Sequence, residues 1–113
     1  MSELEDLVRQ IEIQSQQVQS VTMQKQSLML QGKEVEKALD ELKKDDVSEV
    51  YKSVGPILVK ADKKSLRLEL EEAQEEIELR IKTLDRQEDL LKKKMKENQE
   101  KFKGLMPATG HGG

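Results

Sequence analysis

An apolar repeat runs through the first 42 residues and constrains the fold more than any other feature of the chain. With Leu4 at position a of a heptad, nine of the twelve a and d positions are apolar. The a row is Leu4, Ile11, Val18, Lys25, Gly32 and Leu39, and the d row is Leu7, Gln14, Val21, Leu28, Val35 and Leu42. A 3.5-residue spacing keeps one stripe of a helix against a partner helix. The repeat therefore predicts a long coiled-coil helix, in which Gly32 marks either a close helix approach or a local bend.

A second heptad pattern occupies the C-terminal part of the chain. Its a row is Leu70, Ile77, Leu84, Leu91, Asn98 and Leu105. The d row turns polar after Ala73, and apolar residues reappear one position later, at Ile81, Met95 and Phe102. A stripe that drifts around the helix predicts a straighter, less supercoiled pairing. Asp62 is placed to cap the start of this helix.

The segment between the two repeats has the character of a β-hairpin. β-Branched and aromatic residues cluster around Gly55-Pro56, which is a strand, turn, strand signature. The helical arms on either side have equal length, so folding back at the hairpin brings the chain ends together. We therefore predict an all-α dominated fold, a long antiparallel two-helix coiled coil with one central hairpin. Its segments are helix one at 1–45, the hairpin at 46–62, helix two at 63–106 and a disordered tail at 107–113.

The predicted hairpin needs a partner. A lone two-stranded hairpin is marginal in water and leaves two edges unpaired, yet this one is rich in apolar residues. They are Val50, Tyr51, Val54, Ile57, Leu58 and Val59. Joining hairpins from several chains into a closed barrel removes the free edges, so we predict an obligate oligomer.

Apolar residues also lie near the chain ends, wholly or partly outside the predicted seam. They are Val8, Ile13, Leu90, Met95, Phe102 and Met106. A two-helix coil does not bury them all, so they indicate a surface for apolar partners, in which Met adapts to varied shapes. The alternative is ordinary scattered surface hydrophobes.

Composition argues against catalysis. The 113 residues are 38% charged and 2% aromatic with no cysteine, so there is little material for an enzyme core. His111 is the only histidine and lies in the tail, without companions for a metal site. No phosphate-binding glycine motif occurs. We predict no catalytic residues, no metal and no cofactor.

The balance of charge and hydropathy limits the partners and the location. A net charge of −3 from 23 acids and 20 bases gives no positive field for nucleic acid. There is neither a signal-peptide pattern nor a run of about 20 apolar residues for a membrane span. We expect a soluble protein that is not secreted and that binds neither nucleic acid nor membrane.

The hairpin sequence carries a resemblance to a known family. The segment VYKSVGPILVKAD, Val50 to Asp62, closely resembles the hairpin of prefoldin β-class subunits, and the flanking helices and overall length match as well. A single short linker fits the β class, since α-class subunits carry two hairpins. The resemblance covers residues 4 to 106.

This resemblance implies a function and partners. It implies a hexamer of two α and four β subunits, with a β-barrel body built from the hairpins and projecting coiled-coil arms. The arm tips would hold non-native polypeptides without ATP and pass them to a group II chaperonin in the cytosol. The tip residues carried over are Leu4, Leu7, Val8, Ile11, Ile13, Leu91, Met95, Phe102, Leu105 and Met106.

Two alternatives remain open from the sequence. Lys92, Lys93 and Lys94, interleaved with nearby acids, form either a solvated helix face or a docking point for the chaperonin. The chain as a whole is either a holding chaperone or a structural coiled-coil scaffold or tether that binds no client. The Gly-Pro hairpin favours the chaperone, because a scaffolding coil has little use for such an interruption.

Overall fold

The computed structural model describes residues 2–106. The predicted disordered tail and His111 lie outside the described residues. The elements are α1 (Glu3–Leu42), β1 (Val50–Val54), β2 (Ile57–Ala61) and α2 (Lys63–Leu105). Two long helices with one antiparallel hairpin confirm the predicted fold class. The described chain forms two compact units: unit 1 combines 2–25 with 83–106, and unit 2 is 26–82.

Side-chain hydrogen bonds hold the chain at the start of α1 and in the connection that follows α1. At the start, the Glu5 amide donates to Ser2 Oγ at 3.1 Å, and three acidic residues in the first turn suit the helix dipole. After Leu42, the Lys63 ammonium donates to the carbonyl oxygens of Lys44 at 3.0 Å and Val47 at 2.8 Å. Both carbonyl groups belong to the connection between α1 and β1, so the Lys63 side chain of α2 holds that connection in place. α1 ends at Leu42, and this short non-helical connection precedes the hairpin.

The hairpin turns at Gly55-Pro56, as the sequence predicts. β1 and β2 pair antiparallel from Val50 with Ala61 to Val54 with Ile57. Gly55 has a φ of 56°, a left-handed conformation that suits glycine at the first position of a two-residue hairpin loop. The turn thus depends on a residue without a Cβ.

Asp62 caps α2, as the sequence predicts. Its Oδ2 accepts hydrogen bonds from the backbone amide and the hydroxyl of Ser65, both at 2.9 Å. These bonds favour the charged carboxylate, with the backbone amide contributing most, and lower the pKa of Asp62 below its ordinary value of 3.8. The cap therefore works best as an ionised group.

The lowered pKa of Asp62 predicts an acid-dependent contribution to stability. A carboxyl whose pKa is depressed by folding adds stability above its unfolded pKa, and this is lost as pH falls through the folded value. We expect Asp62→Asn, which keeps a capping oxygen but no charge, to unfold at a lower temperature than the wild type at pH 7. The difference should shrink as pH falls below 3.8. Thermal unfolding followed by circular dichroism measures this, and a difference that is constant with pH would contradict it.

The seam of unit 2 is apolar. Leu39 and Leu42 of α1 are buried, and Leu28 and Val35 are half-buried on the same stripe. The partly buried residues on α2 are Leu66, Leu70, Ala73, Ile77 and Ile81. Burial of these side chains is the main stabilising term available, at about 25 cal/mol per Å² of apolar surface.

Gly32 is accommodated in this seam without being required by it. α1 continues through Gly32 without interruption. A Cβ added there would lie 3.5 Å from Ile77 Cγ2, an ordinary van der Waals separation. The helices therefore do not approach so closely at this point that only glycine fits.

We expect Gly32→Ala to stabilise the protein by about 1 kcal/mol, because alanine is the better helix former and its methyl group meets Ile77 without a clash. Chemical denaturation of wild type and variant measures the change in unfolding free energy. Gly104→Ala near the end of α2, where an added Cβ meets nothing within 4 Å, is the control for propensity without packing. A loss of stability in Gly32→Ala would show that the seam does not tolerate the methyl group.

In unit 1 the seam on α2 follows the predicted drift. Met95 and Phe102 are half-buried, while the positions of the strict heptad, Gln87, Lys94 and Lys101, are exposed. Met95 and Phe102 thus lie in the drifted stripe that the sequence predicts. One expectation is corrected, because Leu105, expected to continue the a row, is exposed. The physical reason is the same drift, since a stripe that has moved by one position leaves the last a residue off the contact line.

Candidate functional site

The two strands present an exposed apolar surface, here called the hairpin surface: Tyr51, Val54, Ile57, Leu58 and Val59. Side chains alternate between the two faces of a strand. Val54, Ile57 and Val59 therefore share one face, and Tyr51 and Leu58 share the other. Leu58 is the most exposed, at 71%. Apolar side chains are thus exposed on both faces of the hairpin.

Val50, the sixth predicted assembly residue, differs from the other five. It is buried within the chain at the base of the hairpin, where it pairs with Ala61. Its side chain therefore offers little surface to a partner, and its contribution to an interface stays a prediction. In the described residues the sheet has only two strands, so the outer edges of β1 and β2 carry backbone groups without strand partners.

A second apolar surface lies at the end of unit 1 where α1 begins and α2 ends. Its exposed members are Val8, Ile13, Leu105 and Met106, here called the helix-end surface. The remaining predicted tip residues are less accessible. Leu4, Ile11, Leu91, Met95 and Phe102 are half-buried, and Leu7 is buried, with 7% of its surface exposed. Of the ten predicted tip residues, four are thus well presented and the other six line the seam to different degrees.

Unit 1 also contains a charged layer within its seam. Thr22 Oγ1 donates to Glu88 Oε2 at 2.8 Å, and Lys25 Nζ lies 3.3 Å from Glu88 Oε1 and 2.5 Å from Asp85 Oδ1. The Glu88 side chain is only 12% exposed. The Thr22 hydroxyl first, and then the Lys25 and Lys92 ammonium groups, lower the pKa of Glu88, while the hydrogen bond to Asp85 raises the pKa of Lys25. Both shifts favour the charged forms of Glu88 and Lys25.

An amide layer follows nearer the helix ends. The Asn98 side-chain amide donates to Gln10 Oε1 at 3.3 Å and to Gln14 Oε1 at 3.2 Å. Polar residues at seam positions favour one register over others at some cost in stability. Lys25, Gln14 and Asn98 appear in the heptad rows as polar interruptions, but Glu88 does not. Only the drift of the α2 stripe brings Glu88 into the seam.

The three consecutive lysines have different environments. Lys92 Nζ lies 3.4 Å from Glu88 Oε1 and belongs to the edge of the charged layer. Lys93 and Lys94 are exposed. Lys92 is also exposed, with 55% of its side chain accessible, but its ammonium group is paired with Glu88.

Other kinds of site receive no support from the described part of the chain. In residues 2–106, no three acidic or imidazole groups converge where they could hold a metal ion. Over the same range, neither helix combines the length and the apolar character that crossing a bilayer requires.

Comparison with known proteins gives a consistent result. The family model described as "Prefoldin subunit" matches residues 5–108. The prefoldin subunit beta of Archaeoglobus fulgidus is 42% identical over 110 residues, which cover 96% of this chain and 95% of that protein. That of Thermococcus onnurineus is 38% identical over 110 residues, again covering 96% of this chain and 95% of the relative.

A solved structure agrees in fold as well as in sequence. The crystal structure of the prefoldin beta subunit from Thermococcus strain KS-1 matches with a TM-score of 0.83 and 38% identity, covering 95% of this chain and 96% of that one. The likeness suggested by the hairpin sequence thus extends over both helices. The chain belongs to the prefoldin family of chaperone subunits, within its β class.

Proposed function

We propose that the chain is a subunit of an ATP-independent holding chaperone, which binds non-native polypeptides at the helix-end surface and delivers them to a group II chaperonin. The observation that carries the proposal is the exposure of Val8, Ile13, Leu105 and Met106 at one end of unit 1. Non-native chains expose apolar side chains that native proteins bury, and such side chains are the natural occupants of an apolar surface.

Holding by this surface is a sum of weak contacts. Burying a large aliphatic side chain is worth about 1.5–3 kcal/mol when complete, and less at a partly exposed site. One subunit therefore binds weakly and releases easily. Several subunits in one complex raise the effective affinity without new contacts, and release needs no nucleotide because contacts break one at a time.

Membership of the family implies assembly with other prefoldin subunits. We propose that the partners are two α-class subunits and three further copies of this chain, located in the cytoplasm. The hairpin surface supports this arrangement, since its exposed apolar side chains and unpaired edges are both removed when hairpins join edge to edge in a closed barrel.

The decisive experiment measures aggregation of an unfolded client by light scattering, with and without the chain assembled with its α-class partner. We expect suppression at roughly equimolar complex, without ATP. A correctly assembled complex that leaves aggregation unchanged would refute client binding and favour a structural scaffold or tether. Transfer is tested separately by adding a group II chaperonin and following recovery of client activity.

The lysine cluster supports a further part of this proposal, which is docking of the chaperonin through Lys92, Lys93 and Lys94. Exposed lysines attract an acidic partner over about 8 Å at physiological salt. Changing all three to Glu should weaken chaperonin binding at least about tenfold at low salt, because attraction becomes repulsion. Surface plasmon resonance measures the affinity. The control is a variant in which three lysines that are exposed elsewhere are changed to Glu, namely Lys33, Lys37 and Lys64. Equal affinities for the wild type and both variants would exclude this docking site.

A further inference from the structure

Unit 1 contains a groove that neither the helix-end surface nor the seam explains. It has a volume of about 410 Å³ and lies between α1 and α2. Val21, which is buried, and Leu91, which is half-buried, form its apolar part. Leu90 also lines it and is 59% exposed. A position outside the seam is normally polar in a two-helix coil, so packing within the chain does not account for the leucine at 90.

The rest of the groove lining is polar and carries no negative charge. Gln17 and Ser20 contribute from α1, and Gln87 and Lys94 contribute from α2. Within residues 2–106 no carboxylate lies within ion-pairing distance of the Lys94 ammonium group, although 38% of the chain is charged. The groove thus combines an apolar part, side-chain amides that both donate and accept hydrogen bonds, and one unpaired cation.

These features define the chemistry of an occupant. The volume lies within the range of about 300–1,000 Å³ seen for ligand pockets and admits one large apolar side chain. The amides of Gln17 and Gln87 suit the free backbone groups of an extended segment, which a folded protein has already paired. Lys94 favours an acidic group beside the apolar side chain.

We propose that this groove is a client subsite, which takes one large apolar side chain from an extended segment of a non-native polypeptide with an acidic residue next to it. The inference rests on the proposed holding function and adds a location away from the helix ends and a sequence preference. Contacts at the helix ends and in the groove of one subunit then act on the same client, which raises the affinity for long unfolded segments over short ones.

The test uses a substitution for which groove binding and general surface hydrophobicity predict opposite results. Ser20→Phe fills the groove while adding exposed apolar surface. The probe is a fluorescein-labelled Gly-Ser peptide with a central Leu-Phe-Leu flanked by Glu, and fluorescence anisotropy measures its binding to the assembled full-length chain. We expect Ser20→Phe to weaken binding about tenfold, the equivalent of losing one buried side chain. Ser27→Phe, at another exposed serine of α1 that does not line the groove, should bind the peptide at least as well as wild type.

The charge preference has its own readout. Wild type should bind the Glu-flanked peptide more tightly than the same peptide flanked by Lys, and Lys94→Glu should reverse that order. Two results would overturn the groove proposal and leave the holding function standing. One is that Ser20→Phe binds the peptide as tightly as Ser27→Phe does. The other is that Lys94→Glu leaves the order of affinity for the two peptides unchanged. If the wild-type complex binds neither peptide and also does not suppress client aggregation, the holding function is refuted, and the groove proposal with it.

Discussion

Replacing Val54 and Val59 together by Asp is expected to abolish assembly while leaving the helices folded. Both side chains are exposed and share one face of the hairpin, so their substitution costs little in an isolated chain. In an assembled barrel each carboxylate would be taken out of water without a partner, at a cost of several kcal/mol each. Every 1.4 kcal/mol is a factor of ten in affinity, so the complex should dissociate at micromolar concentrations.

Size-exclusion chromatography with multi-angle light scattering gives the mass, and circular dichroism gives the helix content. Leu68→Asp is the control, because Leu68 is an exposed leucine at the start of α2 and outside the hairpin surface. The control should keep the mass of the wild-type complex. A complex of unchanged mass from the Val54 and Val59 variant would show that assembly does not use this face.

Replacing the helix-end surface by serine is expected to reduce client holding without affecting assembly or stability. The four substitutions are Val8→Ser, Ile13→Ser, Leu105→Ser and Met106→Ser. Each removes part of the roughly 1.5–3 kcal/mol that a large aliphatic side chain contributes on full burial. With several subunits per complex, we expect at least about a tenfold loss of affinity. The suppression of light scattering from an aggregating client measures it, and Met23→Ser with Leu30→Ser, both exposed elsewhere on α1, is the control.

The half-buried residues near the same end should behave differently. Met95→Ser and Phe102→Ser remove side chains from the seam of unit 1, so both should lower the unfolding temperature. This contrast separates side chains that bind a client from those that hold the coil closed. If the control with Met23→Ser and Leu30→Ser loses as much client affinity as the helix-end variant, then exposed apolar surface anywhere on α1 is enough to hold a client.

Much of the fold follows from local patterns in the chain. The heptad rows identify both helices because apolar spacing reflects the helical period directly. The hairpin is equally local, since Gly55 supplies the positive φ that its turn adopts and β-branched residues flank it. The resemblance at Val50 to Asp62 then predicts the family, and the comparisons over both helices confirm it.

The candidate sites were harder to predict. The drift of the α2 stripe predicts that Met95 and Phe102 pack in the seam, but it does not predict that Leu105 is exposed, because only the partner helix decides where contact ends. Val50 is buried by its own chain although its strand neighbours are exposed. The alternation of side chains between the two faces of a strand does not predict this difference.

The sequence by itself determined the elements and their order, since each depends on neighbours within a few residues, and it predicts from the composition of one segment that the hairpin needs a partner. The tertiary structure decided which polar groups meet across the helices. Thr22 and Lys25 of α1 are each more than sixty residues from Glu88 of α2, and the three form one charged layer only when α1 and α2 pair in a particular register. The groove beside Leu90 depends on the same pairing, because its lining comes from both helices and neither helix alone forms a concave surface.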